Sequence, residues 1–341
     1  MINLRKYAIG FIRKLERPVL LDNDLVVVEG TNYLIVSRMA NGMVEEITRI
    51  PITEGRKCIG RCWNYDTLDN ESLTILSYHP DLDVAIAYRI DRAGNVERTM
   101  LNIPGDHRFA VPVVGSNGPD LLLLDIDENG LIIPTIITVP GSALGIVTHN
   151  LPIIEIKGTM RALNIEAAVG APNRYYILFK EFIDEDKHVL CPLEAGIDME
   201  KDCTRIDLPN TLSPDRVHYS FIKSELILCT PYWVYRLDIL KGVPDRVFGS
   251  PSGIISCNTN RDALFVRAGN TVLAFKASSL VPEMVVEFKD EPDYVIGGNI
   301  RFKRAYAMAN FDRVGNGTLI IYQEEEIEDV EPIDDDDYPD F

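Results

Sequence analysis

Strand-length runs of apolar or alternating residues recur along most of this chain, each ending on Gly, Asn, Asp or Pro. Residues 19–22, 25–29, 33–38 and 44–50 form the first set, punctuated by Asn23-Asp24, Gly30-Thr31-Asn32 and Asn41-Gly42. Four such runs joined by tight turns read as one antiparallel meander. The same order returns at 58–64, 73–79, 84–91 and 96–103. Further along, first strands of new units are expected near Arg108, Met160, Val217, Gly253 and Val295.

Counted from Pro18 and Lys57, the expected starts are 18, 57, 108, 160, 217, 253 and 295. Their spacing brackets the ~40–50 residues of a repeated four-stranded unit. Two hairpins echo one another, Asp91-Arg92-Ala93-Gly94-Asn95 and Asp312-Arg313-Val314-Gly315-Asn316. Gly supplies the positive φ of such turns, while Asp and Asn bond the adjacent backbone. The third unit is the least regular: its outer strand is expected at 153–157, with a shift of one strand as the alternative.

A single meander with apolar runs such as Leu121–Leu124 and Ala85-Ile86-Ala87-Tyr88 has two faces to cover. Radial stacking of similar sheets covers both. Over residues 18–323 the pattern resembles the WD40-like propeller superfold, on architecture alone. The chain carries no Trp-Asp dipeptide, Gly-His start or kelch Gly-Gly pattern. The resemblance implies an all-β domain of about seven four-stranded blades; a double β-sandwich is the alternative.

Hydrophobic residues make up 46% and charged residues 25% of the 341, which permits a sizeable core. No apolar stretch approaches the ~18 residues of a membrane span, and the first fifteen residues lack signal-peptide features. The six cysteines, Cys58, Cys62, Cys191, Cys203, Cys229 and Cys257, read as buried free thiols of an intracellular protein, cytoplasmic or nuclear, or incorporated in a virus particle. The formal charge of −18 disfavours duplex nucleic acid as a partner.

Both ends differ from the middle. Residues 1–17 carry a net charge of +4, and Leu4, Tyr7, Ala8, Phe11, Ile12 and Leu15 fit an amphipathic helix. Tyr7, Ile9 and Phe11 also alternate, so a ring-closing strand is the second reading. From Glu324 to Asp340 there are eleven acidic residues and no basic one, an expected disordered tail over 324–341. Ile333, Tyr338 and Phe341 are spaced through it as candidate apolar anchors for a partner.

Sites are sparse. Asp125, Asp127 and Asn129 match the opening of an EF-hand-like calcium loop, but Ile136 stands where the closing Glu belongs. A hairpin turn is therefore expected, with no metal. No P-loop, Gly-x-Gly-x-x-Gly or Gly-x-Ser-x-Gly occurs, so no cofactor and no catalytic residue is assigned. Asp22 and Glu166 fall on expected first strands without a repeated acidic position. The sequence Leu319-Ile320-Ile321-Tyr322 reads as core strand. Arg61, Arg108, Arg161, Arg216 and Arg301 lie close to expected first strands and are the candidate partner-binding cations; pairing with nearby acids is the competing reading. The expected function is a non-enzymatic interaction scaffold or structural subunit of an assembly, with protein partners or self-association. A propeller-type hydrolase acting on glycans is the alternative.

Overall fold

Alternation produces strands wherever one side chain in two can be buried: β4 (Tyr33–Ala40) and β8 (Val84–Asp91) hide nearly every second residue. The computed structural model describes residues 3–325 apart from 54–56, 68–71, 106, 117, 129–130, 141–143, 156–162, 172–173, 182–186, 209–211, 213–215, 221–224, 240, 261–262 and 277–278.

The chain opens with strand β1 (Asn3–Arg13) and then runs through antiparallel meanders. The first is β2 (Arg17–Asp22), β3 (Leu25–Glu29), β4 and β5 (Met43–Pro51). The second is β6 (Trp63–Asp66), β7 (Ser72–His79), β8 and β9 (Val96–Asn102). The third is β10 (Phe109–Val114), β11 (Leu121–Ile126), β12 (Leu131–Thr138) and β13 (Val147–Asn150), with the short β14 (Ile154–Glu155) also on β12. The fourth is β15 (Leu163–Ala171), β16 (Arg174–Glu181), β17 (Lys187–Pro192) and β18 (Thr204–Asp207), with the helical turn α1 (Met199–Asp202) before β18. The fifth is β19 (Val217–Ser220), β20 (Glu225–Cys229), β21 (Trp233–Asp238) and β22 (Pro244–Gly249). The sixth is β23 (Ser256–Thr259), β24 (Ala263–Ala268), β25 (Thr271–Lys276) and β26 (Pro282–Glu287). The seventh is β27 (Tyr294–Ile300), β28 (Lys303–Phe311) and β29 (Asn316–Glu325), with β1 as its fourth strand. The protein is all-β, and among the described residues no helix is long and apolar enough to cross a membrane.

Each meander packs on the next, and the parallel pairing of β10 with β15 joins the third and fourth into one nine-stranded sheet. Trp63, Leu73 and Ile75 of the second meet Val27, Val36 and Ile50 of the first. Leu76 and Ala87 then meet Leu121 and Leu123, and Val111 and Ile136 meet Ile177 and Val189. Leu178 and Ile206 meet Leu226 and Tyr235, Ile227 and Val234 meet Leu264 and Phe275, and Phe265 and Ala274 meet Tyr306 and Met308. Finally Ala307 and Ile321 meet Leu21 and Val26, so the last meander covers the first. Parallel bridges Asp22↔Asn299 and Ile9↔Met43 join these two meanders into a closed eight-stranded barrel. Asparagines tie neighbouring first strands. Asn64 donates to the carbonyls of Val113 (2.9 Å) and Asp120 (2.8 Å), while Asn258 exchanges bonds of 2.7 and 3.1 Å with the Gly297 backbone.

Several expectations need correction. Residues 3–13 form a strand, not a helix: they pair with β29 from Asn3↔Glu325 to Arg13↔Asn316. A bulge between Lys6 and Ala8 turns Ala8 and Ile12 inward, and the helical stripe is broken because Phe11 is 80% exposed. The unpaired edge of β29 needed hydrogen-bond partners, and a strand alone supplies a continuous row. In the third meander the fourth strand is mainly 147–150, earlier than the expected 153–157. Strand β29 runs on to Glu325, beyond the expected boundary at 323; Tyr306 donates to Glu324 at 2.7 Å and burial pushes the Glu324 carboxyl up.

The cysteines also differ from expectation. Cys58 pairs with Cys62 and Cys191 with Cys203, at Cα separations of 5.2 and 4.5 Å, leaving Cys229 and Cys257 as buried thiols. Bridging depends on how a turn aims two Cβ vectors, which spacing alone does not report. The Cys58–Cys62 loop is short, so the double change Cys58→Ser, Cys62→Ser should lower stability by about 2 kcal/mol on loop entropy. Urea denaturation with and without reductant checks this: reduction also opens Cys191–Cys203 in both proteins, so the native chain should lose about 2 kcal/mol more on reduction than the double variant does.

Candidate functional site

The sequence Arg61-Cys62-Trp63-Asn64-Tyr65 alternates cationic and aromatic side chains on one side of β6 with Cys and Asn on the other. Just before β6, the Cys58–Cys62 disulfide closes a loop turned by Gly60 at φ 80°. Buried Cys62 anchors that loop in the core, which leaves Arg61 projecting across the Trp63 ring at 4.2 Å and the Tyr65 ring at 5.4 Å. Cation–π contact holds the guanidinium in place without neutralising it. Burial raises the Tyr65 hydroxyl pKa, with the Arg61 charge opposing.

Arg61 opens into a cavity of about 540 Å³ where the first strands of the seventh, first and second meanders begin. Its walls include Leu15, Arg17, Glu29, Thr31, Trp63 and Tyr294. Glu29 is fully engaged: one oxygen takes the Arg17 guanidinium at 2.7 Å and the other accepts from Trp63 Nε1 at 3.1 Å. No acid among the described residues pairs with Arg61.

Beside this cavity the β1–β2 turn and the β28–β29 hairpin meet through Lys14 N donating to Gly315 O at 2.8 Å. Their tips expose Leu15 (73%) and Val314 (86%) among Arg13, Lys14 and Arg313. The acids close by serve their own turns. Glu16 is buried, accepting from Arg13 N at 2.6 Å and from the Tyr33 hydroxyl. Asp312 accepts from Val314 N and Asn316 N at 2.8 and 2.9 Å, bonds that hold its carboxyl below the usual range. A positively charged, partly apolar corner thus survives on a chain of net charge −18.

The candidate arginines do not gather into one ring. Arg61 lines the cavity, whereas Arg108 pairs with Asp125 at 3.8 Å. Arg216 donates to the carbonyls of Cys229 (3.3 Å) and Ile255 (3.2 Å). Arg301 follows the far end of β27 and pairs with Asp24 at 3.5 Å. Arg161, Asn129, Ile333, Tyr338 and Phe341 lie outside the described residues. Around Asp127 the chain is a hairpin: Asp127 N donates to Leu131 O at 3.0 Å, and Leu131 N donates to Asp127 Oδ1 at 2.8 Å. Asp22 ends β2, and Glu166 is buried beside His188, so the two carboxylates of expected first strands serve different places. Arg13, Lys14 and Arg17 were legible only as part of the net charge of +4 over residues 1–17, and Arg313 escaped sequence reasoning; the Arg-Trp-Tyr alternation at 61, 63 and 65 was a usable signal.

No family model matches the chain, and no curated protein matches it. Among solved structures it is similar to one described as the structure of apo AztD from Citrobacter koseri, at 13% identity and a TM-score of 0.42, covering 81% of this chain and 73% of that one.

Proposed function

We propose that the chain is a single seven-bladed, WD40-like β-propeller that works as a non-enzymatic interaction scaffold or a structural subunit of a larger assembly. The packing of each meander on the next, ending with the seventh on the first, supports the ring. The observation that carries the function is Arg61: a cation stacked on Trp63, paired with no acid among the described residues because Glu29 in the same wall is engaged by Arg17 and Trp63, at the mouth of a cavity with an exposed apolar rim. Such a site suits the carboxylate of an acidic protein partner. Two disulfides favour an oxidising compartment or a particle surface over the reducing cytosol expected from the sequence.

Affinity capture with mass spectrometry tests the reading, using native and Arg61→Glu chains as bait. Loss of one buried charge-assisted contact corresponds to about 1.4–3 kcal/mol, so a specific partner should fall at least about tenfold in recovery on the variant. Equal recovery on both baits removes the cavity from the binding surface, and glycan hydrolysis by the native chain would replace the scaffold reading with the enzyme.

A further inference from the structure

We propose that copies of this chain associate head to tail, the acidic C-terminal segment 326–341 of one copy docking on the corner formed by Arg13, Lys14, Leu15, Arg313 and Val314 of the next. The inference deepens the assembly role proposed above and rests on it.

Chemistry matches the two surfaces. The corner joins three exposed cations, which have no ion-pair partner among the described residues, to two exposed aliphatic side chains. The segment 326–341 holds nine carboxylates interrupted by Ile333, Tyr338 and Phe341. Charge complementarity steers the encounter, and the apolar residues give it a footing that salt does not screen.

Position decides between the chain's own corner and a neighbour's. Strand β29 starts at Asn316, opposite Arg13 beside the corner, and ends at Glu325 after 10 residues. At ~3.3 Å per residue the segment therefore departs about 30 Å from its own corner. Sixteen residues reach at most about 53 Å, so doubling back over that distance uses more than half of the reach before any residue can dock. Nearer its departure Arg301 pairs with Asp24, Arg304 pairs with Glu283 and Lys303 is also engaged, which leaves Arg5 and Lys6 on β1 against three cations at the corner. A second copy meets neither limit. Because the two surfaces differ, each contact is heterologous; the head-to-tail arrangement proposed extends into chains, whereas a reciprocal exchange of segments would stop at a dimer.

Sedimentation velocity of full-length proteins tests this by mixing. One variant removes the corner charges (Arg13→Glu, Lys14→Glu, Arg313→Glu). The other neutralises the segment (Asp334→Asn, Asp335→Asn, Asp336→Asn, Asp337→Asn, with Phe341→Ala). The native chain should form a concentration-dependent series at low salt that collapses to monomer at ~1 M salt, where the screening length is about 3 Å. Each variant alone should be monomeric, and an equimolar mixture should give a one-to-one complex and nothing larger. A monomeric native chain, a mixture that stays monomeric, or a variant that still self-associates overturns the proposal. Arg5→Glu with Lys6→Glu should leave the series intact; its loss there would move docking to the departure site and likewise overturn the proposal. Matching thermal midpoints establish that the variants fold, and a fluorescent 324–341 peptide binding to the Arg5, Lys6 variant but not the corner variant gives an independent reading. Failure here with partner capture at Arg61 intact leaves the scaffold role standing.

Discussion

Gly298→Ala is expected to lower stability by about 3 kcal/mol, the upper end for overpacking, and to shift the urea midpoint accordingly. Gly298 lies in β27 where that strand meets β2, next to the Asp22↔Asn299 bridge and the bond of 3.0 Å from Asn23 N to Asn299 O. A methyl group there would overlap the carbonyl group of Leu21 and that residue's own Cβ. Overpacking against a side chain is partly relieved by rotamer change, but backbone has no such escape, so the strands must separate. Separation would open the core of Leu21, Val26, Ala307 and Ile321 between the seventh and first meanders. Gly297 faces the other way, against the Phe265 ring, so adjacent glycines admit close neighbours on both sides. Gly145→Ala is the control, because nothing approaches its Cβ position, and it should stay within about 0.5 kcal/mol. Equal effects at the two positions would refute the close-approach account.

The second large effect is expected at His188→Ala, about 3–5 kcal/mol by chemical denaturation. Glu166 occupies the bulge of β15 between Ile165 and Ala167, which turns its carboxylate into the packing between the fourth and fifth meanders. One oxygen lies 2.8 Å from His188 Nε2 and the other accepts from Leu212 N at 3.1 Å, and both side chains are within 3% of complete burial. Removing the imidazole strands a carboxyl group out of reach of water, the costly way to break a buried pair. Glu166→Gln keeps the size and the acceptor for Leu212, so its cost should be clearly smaller. A loss under about 1 kcal/mol for His188→Ala would mean that water enters and replaces the ring.

Much of the strand content was legible because the signals are local. First strands begin at Arg17, Trp63, Phe109, Leu163, Val217, Ser256 and Tyr294, against expectations of 18, 57, 108, 160, 217, 253 and 295. The largest discrepancy, at 57, comes from the disulfide loop, where Cys58 makes only an isolated bridge to Ala110 before β6 begins. Arg61 was singled out, yet its value came from Trp63 beneath it and from the acids elsewhere being engaged, which is a matter of contacts.

Periodicity and turn chemistry determined by themselves that this is an all-β chain of repeated four-stranded units, because alternation and positive-φ turns act within a few residues. Tertiary structure alone decided that residues 3–13 become a strand. Their apolar residues fit period two after the bulge and period 3.6 without it, and only the open edge of β29, more than 300 residues away, selects between them. It decided likewise which cysteines meet and which cations stay unpaired, since both depend on distances between residues whose relative placement is set by the packing of whole sheets.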